Sequence, residues 1–381
     1  KTKDPKKDTV DFRELDMVVN VPKGKLLLEK ILATDGTPGR TVTDETINPK
    51  PGKDFNFKIG SGVSLSEDGI KVISEAEGKY MLADGKVSVE VEHIINGDVD
   101  ISTGNITFIG ESLVINGAVL PGFKVKGKKD VYIGQGIQNS AEITVGGNLK
   151  IKGGVVGDGV AIKCWGNVNA DFIENVGRIE VNGDLLIFDA LIQTHTRVNH
   201  NLKMLTGKGA LVGGTHTVSG SVFVREIGSE AEVVTEVVVG FEPELEAKKK
   251  KLEKEKKYWP VKMEEIMKNN IDLQKLKKES GDKFPPEKTA LLKKNYEMLP
   301  KIMEKVTSLP EKKKALGAEI EQSGNESVYV YGTAFPGTKV TIGDVSRVLI
   351  NMEEQVVIHL DKSTRRIHCR SMSKKEQKAF N

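Results

Sequence analysis

Three histidines, which by type are suited to bind a metal ion, lie close together in the chain: His195, His200 and His216. A metal site needs three or four ligands that converge, and imidazole is a common ligand. No spacing between them matches a zinc motif. A repeat of about 18 residues in this region would place His200 and His216 one repeat apart, where they could stack. We favour histidines that are exposed or lie at turns between strands, and we predict no metal site. Whether the three side chains converge stays open.

A group of carboxylates lies in the same region, between residues 158 and 184. Clustered carboxylates, with a basic residue and aromatic rings that stack on sugars, are typical of β-helical enzymes that act on acidic polysaccharides. Aromatic residues are few, so surface and corner charge is the favoured interpretation, and no catalytic residue is predicted. The residues are Asp158, Asp171, Glu174, Arg178 and Asp184, with Trp165 and Phe172 as the aromatic side chains.

Three Gly-x-Gly segments resemble fragments of phosphate-binding loops: Gly134-Gln-Gly136, Gly157-Asp-Gly159 and Gly207-Lys-Gly209. A phosphate-binding loop also needs the complete motif and a helix that begins directly after it. We see neither in the sequence, so we predict corner glycines and no bound cofactor. Cys164 has no histidine near it in sequence and is predicted to be a core thiol. Cys164 and Cys369 are the two cysteines, too few for a disulfide framework, a zinc finger or an iron–sulfur cluster.

A lysine-rich segment follows this region. Residues 242–323 contain 21 Lys and 16 Asp and Glu, a net charge of +5, whereas the rest of the chain contains 36 basic and 38 acidic residues. Its densest run, Lys248–Lys251 with Lys254, Lys256 and Lys257, is of a kind that binds nucleic acid or anionic lipid. Glu253 and Glu255 are interleaved with these lysines, so a solvated helical face is the simpler interpretation. We predict no nucleic-acid partner.

Length and composition bound the class of protein. The chain has 381 residues and a mass of 41.7 kDa, which suggests two or three domains. Hydrophobic residues make up 38% and charged residues 29%, which is not the composition of a disordered chain. No apolar run approaches the roughly 18 residues of a membrane-spanning helix. The few cysteines favour a reducing, cytoplasmic setting. Because the first residue is Lys1 and not Met, we expect a fragment, and a lost targeting segment stays open.

A short pattern recurs along residues 97–240: a polar residue, then Val or Leu, then an alternating strand. Seven apolar positions, which we call the anchors, recur at nearly even intervals in this pattern. An interval of roughly 18 residues is too short for common helical or propeller repeats and suits a coil of about three short strands. The anchors are Leu113, Val131, Leu149, Val168, Leu185, Leu202 and Val222.

The composition of this region supports a parallel β-helix. It contains 24 Gly and a single Pro, as expected where glycines form tight corners and interior strands donate hydrogen bonds on both sides. Asn and Asp tolerate corner geometry and hydrogen-bond locally. Each coil would bury its inner face only against its neighbours. We therefore predict that Val168 and Leu185 stack in the core.

Residues 242–323 show a heptad pattern instead. Two predicted helices flank the breaker Gly281–Pro286, and an antiparallel coiled-coil hairpin is the simplest arrangement. Pro260, Pro300 and Pro310 should kink or interrupt the helices. The residues predicted to form the seam between the helices, or to contact a partner, are Leu252, Trp259, Ile266, Leu273, Leu292, Leu299 and Val306.

The remaining segments are β-rich. Asp-Gly turns beside alternating runs predict hairpins in the N-terminal part, where Leu26–Leu32 could instead form a short helix. The segment after the helices should rejoin or cap the β-helix. The expected fold is mainly β, divided into a small β-rich N-terminal domain (1–92, opening with a mobile lead-in), a parallel β-helix (93–241), an inserted helical hairpin (242–323), a returning β segment (324–370) and a flexible tail (371–381).

The repeat region resembles the bacterial flagellar assembly protein A family over roughly residues 20–345. That resemblance implies a bacterial, cytoplasmic protein with a part in flagellar assembly or polar placement, and no catalytic residues to carry over. It also implies a further N-terminal portion that this sequence lacks. More distantly, the architecture resembles bactofilins and the C-terminal domain of the division inhibitor MinC. The matching segments are Thr103-Gly-Asn-Ile106, Val114-Ile-Asn-Gly-Ala-Val119, Asp171-Phe-Ile-Glu-Asn-Val176, Gly207-Lys-Gly-Ala-Leu-Val-Gly-Gly214, Ile227-Gly-Ser229 with Thr235 and Val239-Gly240, and the closing Phe335-Pro-Gly337.

The function expected from the sequence is a non-catalytic scaffold that binds other proteins through the helices or a β-helix face. A homodimer formed through the helical seam stays open. The first alternative is a bactofilin-like polymer, because an uncapped β-helix end is an unpaired sheet edge. The second is a glycan-active β-helix enzyme.

Overall fold

The structure, a computed structural model, describes residues 12–240, 243–280, 284–322 and 325–378. The predicted lead-in at residues 1–9 lies outside them. Nine short strands come first, in sheets ordered β1-β8-β9-β5, β2-β7-β6 and β3-β4. They are β1 (Asn20–Val21), β2 (Leu26–Glu29), β3 (Gly39–Arg40), β4 (Thr46–Ile47), β5 (Lys58–Ile59), β6 (Val63–Leu65), β7 (Lys71–Ser74), β8 (Gly78–Ala83) and β9 (Lys86–Glu90). Asp84-Gly85 turns the antiparallel β8–β9 hairpin, with both residues at positive φ, as a two-residue turn of this kind requires.

The segment that begins at Leu26 is a strand and not the short helix considered from the sequence. Leu26–Glu29 pairs antiparallel with β7. In this pairing Leu27 and Leu28 pack against the small N-terminal core. An isolated helix of about seven residues would be unstable in water, whereas the strand gains both ladder hydrogen bonds and burial. The core consists of Val21, Val63, Val72, Val87 and Val89.

A parallel β-helix of about eight turns follows, which we call the solenoid. Each turn contains three strand segments, and each strand pairs with its equivalent one turn later. The strands are β10 (Glu92–Ile95), β11 (Ile106–Phe108), β12 (Ser112–Ile115), β13 (Ala118–Val119), β14 (Lys124–Gly127), β15 (Asp130–Ile133), β16 (Gly136–Gln138), β17 (Glu142–Val145), β18 (Leu149–Ile151), β19 (Gly154–Val156), β20 (Ala161–Cys164), β21 (Val168–Glu174), β22 (Arg178–Val181), β23 (Leu185–Val198), β24 (Leu202–Met204), β25 (Ala210–Val218), β26 (Val222–Val224), β27 (Glu226–Ile227) and β28 (Thr235–Val239).

The anchors predicted from the sequence form one continuous stack. Each anchor is the parallel register partner of the next, from Leu113 through Val131 and onward to Val222. All seven are at most 2% exposed. Cys164 belongs to the same core, as predicted, and burial raises the pKa of its thiol to about 11. The period of the sequence pattern is therefore the length of one turn, and the prediction that Val168 stacks on Leu185 is confirmed.

From Asp130 onward, the polar residue before each anchor belongs to a second stack, which we call the corner ladder. Its side-chain oxygen accepts a hydrogen bond from the backbone N–H of the equivalent residue one turn later. Asn148 donates to Asp130 over 2.7 Å, Asn167 to Asn148 over 3.0 Å, and Asp184 to Asn167 over 2.8 Å. Asn201 and Ser221 continue the series, each over 3.0 Å. The ladder satisfies backbone donors that the corner would otherwise leave unpaired.

The corner ladder also explains the glycine that usually precedes its polar residue. A Cβ placed on Gly166 would lie 2.7 Å from Oδ1 of Asn148, and one on Gly220 would lie 2.6 Å from Oδ1 of Asn201. Both distances are too short for carbon and oxygen. Glycine is therefore needed here for close approach between turns, in addition to any conformational role.

Two helices and five strands complete the chain up to residue 371. The chain returns to the solenoid at β29 and β30, which pair in parallel with β26 and β28. The strands that follow reverse direction: β31 pairs antiparallel with β30, β32 with β29, and β33 with β32. They cover strand edges that the last turn would otherwise expose. The elements are α1 (Pro243–Ser280), α2 (Pro286–Gln322), β29 (Val328–Ala334), β30 (Lys339–Ile342), β31 (Val345–Val348), β32 (Glu353–Asp361) and β33 (Arg366–Ser371).

The described part of the tail contains a short helix, α3 (Lys374–Lys378), and the flexibility of the tail stays a prediction. Ser373 and Glu376 form a capping box, in which the backbone N–H and the hydroxyl of Ser373 both donate to Glu376. Arg370 forms an ion pair with Glu376 over 2.6 Å. These bonds hold the pKa of Glu376 low, at about 2, and fix the start of the helix.

At the other end, the N-terminal region covers the first turn of the solenoid. Asn20 donates from Nδ2 to the carbonyl of Thr107 over 2.7 Å and accepts from the N–H of Ile109 over 3.1 Å. The N–H of Asn105 donates to the carbonyl of Arg13 over 2.7 Å. Backbone groups beside β11 are thereby paired, so this edge is not free to add another strand.

We expect Val168→Asp to unfold or aggregate the chain. An unpaired carboxylate in the stacked core costs several kcal/mol, a large share of the roughly 5–15 kcal/mol of a typical domain. Val156→Asp is the matched control, because Val156 is 40% exposed on a neighbouring strand. Thermal unfolding followed by circular dichroism measures both variants. Equal midpoints for Val168→Asp and the wild type would show that the stacking register is wrong.

Candidate interaction surface on the helical hairpin

The helices α1 and α2, which we call the helical hairpin, occupy the place of one solenoid corner. In the preceding turns three residues join the strand end to the next anchor, for example Asn182-Gly183-Asp184 between Val181 and Leu185. Val239 is the register partner of Val218, and Val328 is the partner of Val222. The hairpin therefore stands where three residues suffice elsewhere. Ser327 still donates to Ser221 over 3.2 Å, so the corner ladder resumes directly after it.

The helices are antiparallel, since contacts join the start of one to the end of the other. Lys248 pairs with Glu319 over 2.7 Å near the solenoid, and Asn270 contacts Asn295 toward the far end. Between them, Nζ of Lys305 lies 4.0 Å from the ring centroid of Trp259. Pro286 is the first residue of α2, a position where the missing N–H costs nothing.

The seven predicted seam residues differ in burial. Ile266, Leu273 and Leu292 are buried, whereas Leu252, Trp259, Leu299 and Val306 are half-buried. Four further residues of the helices, which are not among these seven, are also buried: Leu245, Ile302, Leu309 and Leu316. Contact of any of these residues with a partner stays a prediction. The helices run through Pro260, Pro300 and Pro310 without an interruption, and a kink at these residues stays a prediction.

A buried polar pair lies within the helical hairpin and was missed by the search for apolar heptads. Asn270 and Asn295 are 6% and 7% exposed, and Nδ2 of Asn295 donates to Oδ1 of Asn270 over 2.9 Å. Satisfied asparagine pairs in helical interfaces are known to fix register and partner number at a cost in stability. An asparagine at heptad spacing from seam residues is the sequence signal that could have identified the pair.

The three histidines of the solenoid do not converge. His195 and His200 are exposed, and His216 is fully buried. The register partner of His216 is Thr196, so His200 does not stack on it. The imidazole of His216 donates from Nε2 to the carbonyl of Gly213 and accepts from the hydroxyl of Thr196, each over 3.0 Å. Among the described residues, no group of three or more His, Cys, Asp or Glu could hold a metal ion.

The carboxylates grouped between residues 158 and 184 of the sequence make separate local contacts. Asp171 accepts from the N–H of Gly153 over 2.8 Å, and Asp158 from the N–H of Gly159 over 2.8 Å. Burial opposes ionisation of Asp184, but Lys203 at 2.7 Å and the N–H of Asn201 outweigh it, so the pKa of Asp184 lies below its usual range. Carboxylates held in this way stabilise the backbone beside them.

The other members of the cluster also serve local roles. Arg178 donates to Glu180, and Glu174 accepts from Asn175 over 3.5 Å. Lys163 covers the ring of Trp165 at 4.9 Å from the ring centroid. The ring of Phe172 occupies the space above Gly154 that a side chain would otherwise fill.

Two of the three Gly-x-Gly segments lie at turns of the solenoid, whereas Gly136 of the first is the first residue of β16. Gly157, Gly159, Gly207 and Gly209 have positive φ values between 56° and 115°. Residues 92–240 contain strands and turns but no helix, so no helix N-terminus follows any of the segments to bind a phosphate.

Among the described helices, none is long and apolar enough to span a membrane.

We expect Asn270→Leu to destabilise the helical hairpin by about 1–3 kcal/mol, since Asn295 would keep a buried amide without a partner. The double variant Asn270→Leu/Asn295→Leu should recover that stability, because apolar side chains replace both amides. Loss of ellipticity at 222 nm on heating reports on the helices. A single variant as stable as the wild type would contradict the role of the pair.

We expect His216 to make the chain less stable as the pH falls below 6.5. Burial lowers the pKa of His216 from 6.5 to about 4, so between these values the unfolded chain binds a proton that the folded chain does not. Stability from this group is complete above pH 6.5 and declines by up to about 3 kcal/mol by pH 4. The thermal midpoint of His216→Gln should therefore depend less steeply on pH than that of the wild type, and equal slopes would contradict the assignment.

Comparison with known proteins agrees with this architecture. Residues 92–364 match the model of the flagellar assembly protein A β-solenoid domain, and residues 1–85 match the model of the N-terminal region of the same family. Residues 1–85 therefore correspond to the family's N-terminal region, and the expectation that this sequence lacks it is wrong. No curated protein and no solved structure was found to match, and the likeness to bactofilins and MinC gains no support. The match to the β-solenoid domain covers more than half of the sequence and includes the stacked strands described above. The chain therefore belongs to the flagellar assembly protein A family.

Proposed function

We propose that the chain is a non-catalytic scaffold in bacterial flagellar assembly, and that the helical hairpin is the element through which it binds other proteins. It acts in the cytoplasm, at the cell pole where flagella are placed. Family membership supports the flagellar part of this proposal. The observation that carries the scaffold role is the position of the hairpin, which replaces one three-residue corner while the strands on both sides keep their register.

That position favours an interaction role over a structural one. The solenoid core is continuous across the insertion, since Val222 stacks on Val328 and Val239 on Ile342. The turns on either side of the hairpin are therefore in direct contact without it. A pair of long helices that interrupts the chain but not the strand pairing of the core is more readily explained by what it binds than by what it stabilises.

The two alternatives from the sequence receive less support. End-to-end polymerisation needs free strand edges, whereas β31 and β32 pair with the last parallel strands and the segment around Asn20 covers the first. A glycan-active enzyme needs converging carboxylates, and Asp171 and Asp184 are committed to separate contacts. Neither alternative explains the helical hairpin.

The test replaces residues 240–327 by Asn-Gly-Asp, the corner between Val181 and Leu185. We expect the solenoid to keep its thermal midpoint, because the replacement restores the corner found in other turns. In the bacterium that carries the chain, we expect the number or placement of flagella in electron micrographs to change although the protein is present at its normal level.

Two controls separate the possible failures of this test. Deletion of the whole chain shows whether it acts in flagellar assembly at all, and normal flagella in that strain would contradict the proposal. Normal flagella with the corner replacement, but not with the full deletion, would retain the flagellar role and move binding to the solenoid faces. A fluorescent fusion that is spread evenly through the cell would contradict the polar location.

A further inference from the structure

An apolar groove lies between the helices in the half of the helical hairpin nearest the solenoid. Its volume is about 610 Å³. Leu309 and Leu316, which form its floor, are buried, whereas Leu252 and Val306 are only half-buried. The apolar residues that line it are Leu252, Pro260, Val306, Leu309, Pro310 and Leu316.

Gly317 leaves part of the groove open, because it has no side chain to fill it. Gly317 lines it, and a Cβ on Gly317 would meet no atom within 4 Å. Pro260 and Pro310 line it from opposite helices, and neither has an N–H to donate within its helix. The helices therefore leave apolar surface that their own side chains do not fill.

The charge around the groove is mostly positive. Residues 247–257 and 305–314 contain 11 Lys and 3 Glu, whereas residues 258–304 contain 10 Lys and 8 Asp and Glu. Lys249, Lys256 and Lys313 lie on the groove itself, with Glu253 as its single acidic lining residue. Two lysines of the run noted in the sequence, Lys249 and Lys256, therefore lie on the rim of an apolar groove.

We propose that this groove binds an amphipathic α-helix of a partner protein, with apolar residues on one face and Asp or Glu along its flanks. This inference rests on the proposed function and names the chemistry of the partner. An apolar stripe of such a helix fits the floor, and its acidic flanks meet the lysines of the rim.

The shape of the site argues against the other partners that lysines suggest. A flat lipid surface would meet the rim lysines but would not reach a recessed floor formed by Leu309 and Leu316. Nucleic acid needs phosphate contacts and aromatic stacking, and neither requires an apolar floor. Only a partner with both an apolar stripe and acidic flanks uses every feature of the groove.

The experiment uses the full chain and a fluorescein-labelled synthetic helix with Leu at positions i, i+3, i+4 and i+7 and Glu on its flanks. Fluorescence anisotropy should show binding that weakens as salt is added. The same helix with Lys in place of Glu should bind at least tenfold more weakly. Equal binding of both helices, or of neither, would overturn the proposal.

Two variants of the chain locate the binding. Gly317→Leu should fill the groove without harming the helix, since leucine favours helix and the site is open, and should weaken binding at least tenfold. Lys256→Glu/Lys313→Glu should also weaken binding at least tenfold, because it reverses the charge at two positions on the rim. Lys293→Glu/Lys294→Glu is the matched control, because both of these lysines are exposed on α2 away from the groove. Unchanged binding by Gly317→Leu would overturn the proposal.

Two further measurements test the other occupants. If vesicles containing phosphatidylglycerol bind the wild type but not Gly317→Leu, a lipid surface is the occupant and the proposal fails. If light scattering shows a dimer that Gly317→Leu dissociates, the occupant is a second copy of the chain and the proposal fails as well. The flagellar phenotype of the corner replacement is independent of all these results, so failure of the groove and failure of the scaffold role are distinguishable.

Discussion

The parallel register between successive turns is the constraint on which the rest of the molecule depends. No turn can bury its anchor alone, because the anchor is covered by those above and below it. The corner ladder fixes this register by giving each polar corner side chain a defined backbone partner one turn away, as Asp184 does for Asn201. A shift by one residue would direct every anchor to solvent and break every rung, so the two stacks enforce the same alignment.

The corner ladder also explains where the chain tolerates an insertion. Strand residues pair with turns on both sides, so extra residues within a strand would break hydrogen bonds in two directions. Extra residues within a corner are compatible with the register as long as the last corner residue still bonds to the corner ladder. Ser327 does so by donating to Ser221. Loop length adds little further cost, about 0.6 kcal/mol for each doubling, so a pair of long helices can stand in for a short corner.

The sequence was sufficient for the fold but not for the candidate site, for a physical reason. Anchor spacing and corner residues are local and periodic, so they predicted the turn length and the stack that contains Val168. Whether side chains converge depends on which face each one occupies, and nearness in sequence did not reveal this for Asp171 and Asp184. The pair of Asn270 and Asn295 was missed because heptad analysis seeks apolar residues. The groove beside Gly317 depends on a missing side chain, and a pattern of periodic apolar residues does not reveal a missing side chain.

The two parts of the molecule meet opposite physical demands. The solenoid gains stability by repetition, since each turn adds the same burial and the same hydrogen bonds. The helical hairpin contains features that a purely structural pair of helices would avoid: a buried polar pair, three prolines and an apolar groove that its own side chains leave open. Features that cost stability persist in proteins mainly where they serve binding or specificity. Because the solenoid supplies the stability, the hairpin is free to carry them.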